Sequence, residues 1–319
     1  MIELVLFYLS ILIGVFLIVN ALSFVRMKMG NTLHHSLIMQ PHGSTVISKN
    51  YLLALAFLET PVILTVVIGI LTSDFFCYHS PYLIYMPALY VLVFSFSAAI
   101  SIYFCGRHLG SFISLFGDHP QFESKFMMQF FVLISTIQAP FIIFFVGVMY
   151  HKYFLLTNLQ SFYFNDGFYF FTLALFLMLL IIQYTLSQAI STIILLLKKI
   201  YVDYPYHVSN LFLLLIMQMG FLQAPYIFSF IIFIILCKIF YVKFYFLYYV
   251  FGILALLFAL CASTVVFYSG RVVGLVLDKV NYDFQQSSSL MKFALLSQIL
   301  LDSRILYILL IILFGINFF

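Results

Sequence analysis

The sequence predicts an all-α membrane protein of eight transmembrane helices, laid out as four tandem helical hairpins. Three observations carry that reading. Of 319 residues, 65% are apolar and only 8% charged, where a soluble domain has about 45–50% apolar and about 25% charged residues. Long stretches contain no Asp, Glu, Lys or Arg at all: 75–106, 126–151, 167–197, 204–237 and 244–270. Prolines recur in pairs at a fixed separation, so the chain has an internal period. With mean hydropathy +1.18 there is too little polar surface to cover a water-soluble core. The net charge of +4 comes from only 14 basic and 10 acidic residues, which excludes a nucleic-acid partner as its explanation.

A helix needs about 20 apolar residues to cross the bilayer core. Eight segments meet this, near 2–24, 51–72, 82–105, 126–149, 168–197, 208–237, 244–269 and 290–319. In lipid the backbone must be satisfied within the segment, and runs this long without short alternation are helices rather than barrel strands. The first is read as a retained helix, since it lacks a basic n-region. The loops around 25–50, 106–125, 198–207 and 270–289 carry Arg26, Lys28, Lys49, Arg107, Lys125, Lys198, Lys199, Arg271 and Lys279, against only Lys152, Lys238 and Lys243 in the alternate loops. The positive-inside rule places the first set on the cytoplasmic (or matrix) side and both termini opposite.

Six of the eight prolines form pairs twenty residues apart, Pro41/Pro61, Pro120/Pro140 and Pro205/Pro225. Two residues before the second proline of each pair stands Glu59, Gln138 or Gln223. The fourth segment, SQILLDSRILYILLIILF, places Leu301 at the carboxamide position, Ser303 at the proline position and Asp283 at the loop proline. Steps of 79, 85 and 78 residues separate the four equivalent positions. The hairpins are 1–76, which carries Glu59, then 77–156, 157–240 and 241–319.

An apolar hairpin with a cytoplasmic turn proline, followed eighteen residues later by a carboxylate midway along the second helix, resembles subunit c of the F-type ATP synthase. The likeness is closest in the first hairpin, where Gln40-Pro41 stands for the family's Arg-Gln-Pro turn and Leu55-Ala56-Phe57-Leu58-Glu59-Thr60-Pro61 for its ion-binding stretch. It extends, with decreasing fidelity, over all four repeats. The resemblance implies a fused four-hairpin proteolipid that assembles as a homo-oligomeric rotor ring in the lipid bilayer, carrying protons past a stator a-type subunit and docking central-stalk subunits at its cytoplasmic loops. Catalysis would belong to the whole rotary ATP synthase or ATPase, not to this chain. The turn arginine is missing in every repeat (Met39, Asp118, Asp203, Asn281), and so is the inner-helix glycine ladder. Only Ser95, Ser97, Ala98 and Ala99 offer a small-residue cluster, so a looser inner wall or a different ring radius is expected.

Glu59 is the candidate proton-binding group, about 12 Å inside its helix at 1.5 Å per residue. A carboxyl at membrane depth defaults to function. Pro61 frees the Phe57 carbonyl, which is expected to accept the Glu59 proton, with Thr60 nearby. Gln138 and Gln223 hydrogen-bond without titrating and are read, with Leu301, as silenced equivalents. Asp302 lies one residue past the aligned position. It is either a second carrier or, as preferred, the structural partner of Arg304. Arg26 and Lys28 are expected to snorkel to the interface, although Arg26 stands where some relatives carry a helix-one Gln facing the carboxylate. Thr60 alone is too few oxygens for sodium, so protons are favoured. The eight histidines are expected as surface imidazoles, the four cysteines as small hydrophobes, with no metal and no cofactor. One sure carboxylate in four hairpins implies a low gear, suited to ATP-driven pumping. The competing reading is a multi-span secondary transporter or channel, whose repeats are often inverted and whose helices break at the substrate. The membrane expected is the bacterial inner membrane or an organellar inner membrane.

Overall fold

A computed structural model describes residues 2–39, 41, 44–73, 85–118, 123–157, 166–204, 208–238, 245–282 and 284–317. It is all-helical, with eight long helices: α1 (Ile2–Met39), α2 (Ser44–Thr72), α3 (Met86–Asp118), α4 (Glu123–Thr157), α5 (Asp166–Asp203), α6 (Val208–Lys238), α7 (Tyr245–Tyr282) and α8 (Ser287–Asn317), the last preceded by a short 3-10 turn at Phe284–Gln286. Seven of them, α1 to α7, are long and apolar enough to cross a membrane. This is a multi-pass membrane protein.

The helices overrun the expected spans. The 38 residues of α1 extend about 57 Å at 1.5 Å per residue, nearly twice a hydrocarbon core of about 30 Å. The basic segments read as loops at 25–50, 106–125, 198–207 and 270–289 are therefore mostly helix ends among the described residues. Lys and Arg are good helix formers, and a helix leaving the bilayer loses no backbone bond by continuing into water.

Odd-numbered helices pack in the order α1–α3–α5–α7, and each even helix packs on its odd predecessor, with α4–α6 and α6–α8 also in contact. Within this arrangement α3 and α5 are the most buried spans. The closest approaches are α1 with α3 and α5 with α7. Glycines permit both. A Cβ at Gly14 would overlap Ser95, one at Gly106 would overlap Val25, and one at Gly270 would lie 3.3 Å from the Ala189 Cα. At these two seams glycines face Ser, Val or Ala of the other helix, so the backbones come close without a glycine ladder.

The third odd-helix seam, α3–α5, is pinned by polar groups instead. Ser97 Oγ donates to Gln183 Oε1 (2.7 Å), while Gln183 Nε2 donates to the Ser97 carbonyl (3.0 Å) and to Ser101 Oγ (3.1 Å). Away from water such a satisfied set fixes register, since each group would otherwise be buried unpaired.

Candidate functional site

Prolines at the middle of even helices organise the site. Pro61, Pro140 and Pro225 all lie inside continuous helices. Each lacks an N–H and so frees the carbonyl four residues earlier: Phe57, Thr136 and Phe221. The Gln138 amide Nε2 donates to the Phe57 carbonyl at 3.0 Å. The Gln223 amide Nε2 donates to the Thr136 carbonyl at 2.8 Å. The residue two before each later proline therefore repairs the carbonyl opened by the proline of the preceding even helix. Tyr226 Oη adds a bond to the Pro140 carbonyl at 2.9 Å. Lys152 Nζ caps the Leu71 carbonyl in the last turn of α2, one of the orphan carbonyls every helix end leaves. Gln138 to Lys152 and Phe57 to Leu71 are both fourteen residues, so α2 and α4 run parallel and in register.

This overturns one expectation and sharpens another. The Phe57 carbonyl takes its donor from Gln138 rather than from the carboxyl of its own helix. Gln138 and Gln223 are interhelical donors in the same geometric role, which the sequence register alone left indistinguishable from generic polar glue.

Glu59 occupies the first position of that series. Its carboxylate Oε1 instead accepts from Arg26 of α1, forming an ion pair with side chains 51% (Arg26) and 46% (Glu59) exposed. The expectation that Arg26 snorkels away is corrected. Lys28 lies with its ammonium 4.4 Å from the Phe24 ring centroid, while Arg26 emerges beside α2. Helices α1 and α2 pack together, and the guanidinium fork matches a carboxylate. Thr60 turns its hydroxyl back to the Ala56 carbonyl (3.3 Å) on its own helix.

Asp302 and Arg304 do not pair. Two residues apart on a helix means about 200° of rotation at about 100° per residue; Asp302 is buried and Arg304 exposed. The buried positions of α8 are Met291, Ala294, Gln298, Asp302 and Ile305. Along α2, the residues at the same spacing are Ile47, Asn50, Ala54, Leu58 and Pro61, all buried as well. Burial thus aligns Asp302 with Leu58, and the repeat register slips at α8, where no proline holds it. Leu301 is half-buried and has no donor to offer.

His108 and His151 depart from the surface reading. Both are buried, His151 Nδ1 lying 2.6 Å from Tyr90 Oη and His108 Nε2 bonding Ser191 Oγ. These contacts link α3 to α4 and α3 to α5. Their surroundings are apolar because the helices extend past the expected span ends. His34 and His35 are exposed, while His42, His79, His119 and His207 lie outside the described residues. Cys105 and Cys237 are buried and Cys261 exposed; Cys77 lies outside the described residues, as do Gln40, Pro120, Pro205 and Asp283. No group of three or more His, Cys, Asp or Glu able to hold a metal occurs among the described residues.

No family model, no curated protein and no solved structure matches the chain. The functional reading therefore rests on the chain's own geometry. The sequence reading missed Gln183 as the central polar residue of the α3–α5 seam. A lone glutamine in an otherwise apolar helix was the available signal.

Proposed function

We propose that the chain is a proton-carrying c-type subunit of a rotary ATP synthase or ATPase membrane sector, its eight helices forming four fused hairpins of a homo-oligomeric ring. The observation that carries the proposal is the recurrence of one contact: the residue at the Glu59 position reaches the proline-freed carbonyl of the preceding outer helix, at Gln138 and again at Gln223. Two successive hairpins docked by the same bond support a side-by-side packing of hairpins, the packing a ring uses. Continuous helices through all three prolines also set it apart from the transporter reading, in which broken helices line the substrate.

In this function Glu59 is the carrier and Arg26 its own counter-charge. The pair is neutral without a proton, so the carboxylate is stabilised at the edge of the bundle. Taking up a proton breaks the pair and frees the guanidinium, whose long stem lets it reach the interface. Gln138, Gln223 and Leu301 pass the stator a-type subunit without titrating. Central-stalk subunits engage the cytoplasmic helix ends, and the host membrane is a bacterial or organellar inner membrane.

A guanidinium seated on the carboxylate shields it from an apolar carbodiimide. Arg26→Gln is therefore expected to raise carbodiimide modification of Glu59 several-fold over the unaltered chain in native membranes, located by peptide mass spectrometry. Equal modification of Glu59 in both would show that Arg26 does not hold it.

A further inference from the structure

Asp302 is the one acidic side chain described as buried; its residue is 6% exposed, and neither carboxylate oxygen has a hydrogen-bond partner. It sits on the inward stripe of α8, which packs on α6 and α7. Charged groups on those three helices are directed elsewhere. On α8, Lys292 and Arg304 are exposed. On α7, Arg271 lies over the Phe267 ring (5.6 Å), Lys279 is exposed and Asp278 is half-buried near the helix end. On α6, the described basic side chain is Lys238, exposed in the last turn. An isolated carboxylate taken out of water without a counter-ion costs far more than its burial returns, and it is relieved by binding a proton.

Glu59 and Asp302 thus stand in opposite surroundings. Glu59 has the Arg26 guanidinium beside it. Asp302 has no counter-charge among the described residues. We infer that Asp302 is a second proton-binding site, holding its proton at neutral pH between α6, α7 and α8.

The local register gives that proton a use. Gln298, one turn before Asp302 on the same face, donates to the Gln218 carbonyl at 3.4 Å. One turn further along both helices stand Asp302 and the segment of α6 that contains Phe221, whose carbonyl Pro225 leaves free. No side chain donates to that carbonyl among the described residues, in contrast to Phe57 and Thr136. A protonated Asp302 brings a hydroxyl donor into this layer, one turn from the Gln298–Gln218 bond. The site lies beyond the Glu59 reading and stands without it, because it depends on burial within one chain and not on a ring.

Infrared spectroscopy of the full chain in lipid at neutral pH tests this directly. The carbonyl stretch of a protonated carboxylic acid is expected in the unaltered chain and in Glu59→Gln, and it should vanish in Asp302→Asn. Carbon-13 labelling of aspartate side chains in the unaltered chain should shift the same band, which keeps the test independent of any variant's folding. Absence of the band, or a band that aspartate labelling does not shift, would overturn the assignment.

Discussion

Glu59→Gln is expected to abolish proton transport by the assembled complex while leaving the chain folded. The substitution keeps shape and hydrogen-bonding capacity and removes only the titratable proton, turning the first repeat into a copy of the second and third. Arg26 loses its partner. That pair is about half exposed on both sides, and exposed ion pairs contribute only about 0–1 kcal/mol, so thermal unfolding in detergent should shift little. The double variant Arg26→Gln/Glu59→Gln, with no orphan charge, should match the parent in stability and the single variant in transport. Vesicle acidification driven by ATP reads the transport. Full transport by Glu59→Gln would remove Glu59 from the proton path.

The second large effect concerns gearing. Glu, Gln, Gln and Leu occupy the four equivalent positions, so in the proposed rotor one hairpin in four would bring a carrier past the stator. In a closed ring built by repeating one heterologous contact, protons moved per turn are then about a quarter of those moved by a ring with a carboxylate in every hairpin. One charge crossing 100 mV is worth about 2.3 kcal/mol, so each turn draws correspondingly less drive from a given gradient. That disfavours synthesis and suits ATP-driven pumping against a steep gradient. Should Asp302 exchange its proton during rotation, the ratio doubles, and Asp302→Asn returns it to the lower value. Protons moved per ATP in reconstituted vesicles decide the matter. A ratio as high as that of a fully carboxylated ring would contradict the low gear.

The helices were legible in the sequence because apolar run length is a one-dimensional property; seven of the eight are long and apolar enough to span a membrane among the described residues. What the sequence hid was three-dimensional. Arg26 and Glu59 are 33 residues apart on different helices, and the choice between snorkelling and pairing depends on how α1 rotates against α2. The Phe57 carbonyl takes its donor from another repeat, 81 residues away. Asp302 was misassigned to Arg304 because neighbours in sequence look like partners, whereas a helix sends residues two apart to opposite faces. The buried histidines were read as surface groups because the helix ends were drawn at the limits of the apolar runs, and α3 and α4 continue past them.

Helices α4 and α6 each dock on the even helix before them through one recurring bond, and the proposed ring requires the chain to assemble side by side with further copies of itself. Native mass spectrometry of the complex extracted in mild detergent, with images of the same particles, tests it most directly. The account predicts a closed ring of several copies, its circumference divided into four hairpins per chain. A monomer, or a two-fold dimer that buries the α1–α2 edge against itself, would contradict it.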